Sequence, residues 1–139
     1  MGILKVASFK PYKGAVYLGD KKYEGEIILG AICNGKQAGG GQILAPNAFI
    51  NDGLIDIVFL KYFLLKDLNV VLSELQERSV KYNFVKRIQC KELTIEGSTL
   101  IPVNLDGEPL LEKSVTYAIQ PKSISVVLPK QCPLIKNSI

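Results

Sequence analysis

The sequence predicts a mainly β protein, an antiparallel β-sandwich with one principal α-helix at about residues 64–77. Three observations carry this. Short apolar or alternating runs recur along the 139 residues, with Gly, Pro, Asn and Asp between them, the pattern of strands joined by turns. Only Leu64–Glu77 changes to a helical period. Strands do not alternate with helices, so a parallel βαβ sheet is not expected. The length suits one domain, with no linker and no internal repeat.

Each element has a local cause. Residues 1–13 form a lead-in carrying Pro11, with room for a short strand at Ile3–Phe9. Gly14–Leu18 is a short strand, and Gly19-Asp20 turns the chain back. Glu26–Cys33 is almost wholly apolar, as expected of a central strand buried on both faces. Gln42–Leu44 forms a short strand after three consecutive glycines, and turns follow at Ala45–Ala48 and Asn51–Gly53. Leu54–Leu60 is a strand with Ile55, Ile57 and Phe59 on one face.

In Leu64–Glu77, the residues Leu65, Leu68, Leu72 and Leu75 recur at helical spacing and form a core-facing stripe. Val80–Cys90 is mixed, strand or loop. Glu92–Glu96 alternates, and Leu100–Leu105 accommodates Pro102 only as an edge or bulged strand. Asp106-Gly107 signals a hairpin. Val115–Gln120 and Ser123–Leu128 alternate as the last strands, and the tail from Gln131 is irregular.

Composition excludes several functions. No apolar run reaches the ~18 residues of a membrane span, and the N-terminus has no secretory pattern. The net charge of +4 comes from 17 basic and 13 acidic residues, and the basic ones are scattered. Nucleic-acid binding is therefore not expected. Cys33, Cys90 and Cys132 are an odd number without a C-x-x-C pair, which argues against a disulfide framework and for a reducing, cytoplasmic location. There is no histidine, so Ser-His and Cys-His nucleophile systems and the common zinc sites are excluded.

Three local features carry candidate chemistry, and each has two readings. Gly39, Gly40 and Gly41 either make a tight connection or turn their N–H groups toward a ligand, but no G-K-[ST] follows, so they are not a P-loop. Asp52 either opens the next strand through an Asx turn or binds a hard cation through oxygen. Asp56, within that strand, faces solvent or the same cleft. Glu108 follows the Asp106-Gly107 turn and is either a solvated carboxylate or a general base.

The features occur in a particular order: Asn34-Gly35 with Gly39–Gly41; Ala45-Pro46-Asn47-Ala48 with Asp52-Gly53-Leu54-Ile55-Asp56; Leu105-Asp106-Gly107-Glu108-Pro109; then Cys132-Pro133-Leu134-Ile135. In this order they closely resemble the C-terminal half of the bacterial diacylglycerol kinase-like lipid kinases, most of all the YegS-type branch, whose fold is shared distantly with NAD kinases. The resemblance covers about Gly14–Ile135.

The resemblance implies a β-sandwich domain, here residues 1–139, that acts with an N-terminal nucleotide-binding domain in cis. That domain carries G-G-D-G-T, which is not in this sequence. The resemblance further implies transfer of the ATP γ-phosphate to a diacylglycerol-like lipid hydroxyl, with Mg2+. Glu108 matches the catalytic base. Asp52, with the backbone carbonyls of Phe49 and Leu54, matches the Mg2+ site. Gly39, Gly40 and Gly41 would face the nucleotide side of the cleft, and Asp106 either shares the site or only shapes its turn. The isolated chain is expected to be inactive, and contact with the inner membrane surface fits the lipid substrate. The alternative is a non-catalytic sandwich that binds lipid or protein.

Overall fold

The computed structural model describes residues 10–38, 41–76 and 83–136. β1 (Tyr12–Leu18) and β2 (Lys21–Cys33) form an antiparallel pair joined by a turn in which Gly19 has φ +58°. β3 (Gln37–Ala38) and β4 (Gln42–Ile43) form a small separate ladder. β5 (Ile55–Lys61) is followed by a 3₁₀ turn (Leu65–Asp67) that runs into helix α1 (Leu68–Leu75). β6 (Val85–Cys90), β7 (Glu92–Leu105) and β8 (Glu108–Ala118) complete the described elements. The main sheet has the order β6-β5-β2-β1-β7-β8, is antiparallel throughout, and is open at β6 and β8.

One strand makes this sheet into a sandwich. The first half of β2, Lys21–Ile27, pairs with β1, and the second half, through Cys33, pairs with β5. The register shifts between Ile27 and Leu29, so the strand changes partners across a bulge. Bulges bend strands and let one strand serve two layers. The inter-layer core confirms the bend: Ile55, Ile57 and Phe59 of β5 pack with Val16 of β1 and Leu93 of β7. Where β1 pairs with β7, Gly14 is required, because a Cβ there would overlap the Glu96 carbonyl.

β5 is the spine. All of Ile55–Leu60 is buried. Its alternate residues serve two cores, with Ile55, Ile57 and Phe59 between the layers and Val58 and Leu60 on the helix side. Each fully buried aliphatic or aromatic side chain stabilises by about 1.5–3 kcal/mol. β2 was expected to be buried on both faces. It is central, but only partly buried, and Leu29 is 53% exposed. Its apolar run reports centrality without reporting cover.

α1 lies on the second core through Val71, with Leu68 and Leu75 packed beside it. Leu65 is 64% exposed, so the stripe begins later than its spacing suggests. Pro102 sits in β7 opposite Leu111, beyond an irregularity between Glu96 and Ile101, as its missing N–H requires. The segment Ser123–Leu128 is a correction: it is not a strand, and Ile124, Val126 and Val127 are 83%, 62% and 100% exposed. Alternation does not by itself make a strand, and no described strand pairs with this segment. The expected strand at Ile3–Phe9 lies outside the described residues.

Candidate functional site

The Asn51–Gly53 turn is built from local chemistry and one long-range clasp. Leu54 N donates to Asp52 Oδ1 at 3.0 Å, which is the Asx turn expected of this sequence. Gly53 follows with φ +71°, a conformation that favours glycine. Asn51 holds the C-terminal tail: its Nδ2 donates to Lys136 O at 3.0 Å, and Lys136 N donates to its Oδ1 at 2.8 Å. Ile50 N donates to Leu134 O at 3.0 Å beside it. The conformation of Asp52 is thus set both by its own turn and by the tail.

The glycine hairpin comes to the same end of the β2–β5 pair. Cys33, at the end of β2, is opposite Asp56. β3 and β4 then close across the glycine run, with Gly41 at φ +83°. Gly39 and Gly40 lie outside the described residues. Leu44 N and Ala45 N donate to Lys36 O, and the Lys36 ammonium stands 4.8 Å over the Phe49 ring. Ala45 and Ala48 are buried in the helix-side core, which fixes the loop that carries Phe49.

Asp56 is the residue whose state the sequence left open. It is 7% exposed, on the same side of β5 as Val58. Gln89 Nε2 donates to Oδ1 at 3.0 Å, and Oδ2 has no partner among the described residues. Burial pushes its pKa up and the Asp52 charge adds to that, while the Gln89 hydrogen bond opposes them. The Cys33 thiol is also pushed up, first by burial and then by Asp56.

Glu108 lies elsewhere, at the start of β8 and the free end of the β7–β8 hairpin. Asp106 and Gly107 both have positive φ, +49° and +103°, which is the type I′ geometry. Gly107 N donates to Asn104 Oδ1 at 2.8 Å, which pins the turn. Glu108 is exposed, and among the described residues no hydrogen bond or ion pair joins it to Asp52 or Asp56. Asp52 and Asp56 stand near enough for their charges to interact, with Phe49 and Leu54 in the flanking loop, and Glu108 and Asp106 sit at the tip of the β7–β8 hairpin.

The oxygen donors suit a hard cation. Asp52 keeps one carboxylate oxygen outside its turn, Asp56 Oδ2 is unpartnered, and the carbonyls of Phe49 and Leu54 lie in the same loop. No cluster of three His, Cys, Asp or Glu occurs among the described residues, so water would complete any such shell.

Arg87 escaped the sequence reading, which counted it as one scattered base. Its guanidinium donates to Leu44 O, Glu74 O and Leu75 O, tying the end of α1 and the glycine-hairpin loop to β6. Buried Glu74 accepts from Val85 N at 3.0 Å. The signal available was a Glu inside an apolar helical stripe.

The fold defines a class first. The domain superposes on a diacylglycerol kinase-like protein from Bacillus anthracis with a TM-score of 0.66 at 23% identity, over 85% of this chain and 40% of that one. That likeness establishes a shared sandwich fold. The chain belongs to the family of YegS C-terminal NAD kinase β-sandwich-like domains, whose model matches residues 1–128. It is 46% identical over 99% of its length to "Probable lipid kinase YegS-like" of Shewanella frigidimarina, covering 45% of that protein. It is 33% identical over 99% of its length to the protein of the same name from Chromohalobacter salexigens, covering 44% of it. The chain thus spans less than half the length of these relatives, each named a probable lipid kinase.

Proposed function

We propose that this domain forms one wall of a phosphoryl-transfer cleft in a lipid kinase, and that an N-terminal nucleotide-binding domain supplies the other wall and binds ATP. One observation carries the reading. Glu108 is exposed on a pinned turn and has no structural partner among the described residues, so its carboxylate is presented outward from a fixed hairpin. A fixed, solvent-facing carboxylate suits a general base that takes a proton from a lipid hydroxyl.

Asp52, with the carbonyls of Phe49 and Leu54, would hold Mg2+, and Asp56 stands beside them. When bound, the ion supplies neutralisation of phosphate charge. The chain's own contribution is to keep these oxygens in place: the Asx turn holds Asp52, the Asn51 clasp holds the loop, and burial holds Asp56. Gly41 and its neighbours would face the nucleotide. Phosphoryl transfer needs positioning more than covalent catalysis, which fits a chain without histidine.

The test uses the full-length protein that carries this domain, with a diacylglycerol-like acceptor and ATP. Glu108→Gln is expected to lower kcat by about 10²–10⁴-fold while leaving the melting temperature unchanged. Near-normal turnover in that variant would remove Glu108 from the base role.

A further inference from the structure

Asp56 is flanked on both sides of β5 by residues that carry no charge. Cys33 of β2 and Gln89 of β6 are its direct partners in the two antiparallel pairs. Directly opposed residues share a face of the sheet, so the three side chains form a row across three strands. Burial raises the Cys33 pKa, so this neighbour is a neutral thiol at pH 7. Gln89 is exposed, and its amide reaches Asp56 from the solvent side, with Nε2 3.0 Å from Oδ1.

The neutrality of the Gln89 amide is informative. β6 carries two cations, Lys86 and Arg87, and neither stands opposite Asp56. Arg87 donates instead to the carbonyls of Leu44, Glu74 and Leu75. A Lys or Arg at position 89 would pair with the carboxylate and cancel its charge. An amide fixes the orientation of the carboxylate and leaves the charge in place. It also occupies only one oxygen. Oδ2 is buried without a partner among the described residues, in a side chain that is 7% exposed. A buried oxygen of this kind costs stability unless a ligand or water meets it. The charge of Asp52 is close enough to act on Asp56. Two neighbouring carboxylates, one with an orphaned oxygen, favour a hard cation.

We propose that Gln89 is a positioning residue for the cation site: it holds Asp56 by Oδ1 without neutralising it, so that Oδ2 is left to face the Mg2+ held by Asp52. This rests on the Mg2+ role proposed for Asp52 and adds to it a residue from β6, outside the loop that carries Asp52. Gln89 acts only through Asp56, as the outer partners of metal ligands do.

The test is calorimetric titration of the 139-residue chain with Mg2+, beside melting temperatures measured in EDTA. Wild type is compared with Asp52→Asn, Gln89→Leu and Gln89→Arg. Gln89→Leu keeps the reach of the side chain and removes the amide, and it is expected to raise the Kd for Mg2+ by about tenfold. Gln89→Arg pairs with Asp56, so its melting temperature in EDTA is expected to rise while its Kd for Mg2+ rises at least as much as in Gln89→Leu. Stability and metal affinity then move in opposite directions, which a merely structural partner would not produce. If Gln89→Arg gains stability and both Gln89 variants bind Mg2+ like wild type, while Asp52→Asn loses binding, the role of Gln89 is overturned and the Asp52 site stands. If wild type takes up no Mg2+, or Asp52→Asn binds it like wild type, the Asp52 site falls and this proposal falls with it.

Discussion

Asp56 and Gln89 face each other across the β5–β6 pair, and the amide satisfies only one of the two carboxylate oxygens. The other is buried without a partner among the described residues, beside the charge of Asp52. A buried carboxylate in that position costs stability when ionised.

That arrangement has a pH signature. The native pKa of Asp56 is raised, so the native state holds its proton to higher pH than the unfolded chain does. Its stabilising contribution is complete below the unfolded value of about 3.9 and is lost as pH rises through the raised native value. Asp56→Asn removes the ionisation. In urea unfolding with EDTA present, the variant is expected to gain on wild type at pH 8 and to show little gain at pH 3. An equal difference at both pH values would dismiss the burial argument.

Under the proposed function the same carboxylates would hold Mg2+. Mg2+ is expected to raise the melting temperature of the wild-type chain. Asp52→Asn keeps an oxygen for the Leu54 N–H, so the turn survives while the charge is lost. The variant should fold normally and lose the Mg2+ increment, which calorimetry at matched ionic strength reads directly. Retention of the full increment would exclude Asp52 as a ligand.

Arg87 joins three carbonyls from two segments. Arg87→Met is expected to destabilise by about 2–4 kcal/mol, since bonds to a charged donor are worth about 1.5–3 kcal/mol each but are not additive. Arg87→Lys should recover little, because an ammonium cannot reproduce the planar fork. Urea midpoints for the three proteins, with m-values checked for constancy, decide it.

Asn51 clasps the tail through two hydrogen bonds to Lys136. Asn51→Ala is expected to cost about 1–2 kcal/mol and to expose the tail first. Limited proteolysis should cut near residues 130–136 sooner in the variant than in wild type, before the sandwich is attacked. Unchanged cleavage would mean that the Leu134 contact alone holds the tail.

What could be read from the chain follows the range of the forces. The Asp106-Gly107 hairpin, the Asx turn at Asp52 and the face of β5 that carries Ile55, Ile57 and Phe59 were all legible. Each depends on backbone sterics or on residues a few positions apart. The ordered motifs around Gly39–Gly41, Asp52 and Glu108 were legible as a family pattern for the same reason, since each motif is a local unit.

Tertiary structure decided the rest. Whether Asp56 met solvent or core depended on Gln89 and on the packing over β5, 33 residues away along the chain. The bend of β2 at its bulge, which makes two layers, depended on which partner each half of the strand met. Ser123–Leu128 alternates like a strand and is not one, because a strand needs a pairing partner, which a local pattern does not specify. Sequence by itself determined the turns, the strand faces and the family. Long-range packing determined which charges are buried, which apolar residues stay exposed and which acidic residues stand together, because burial belongs to contacts between segments and not to any one of them.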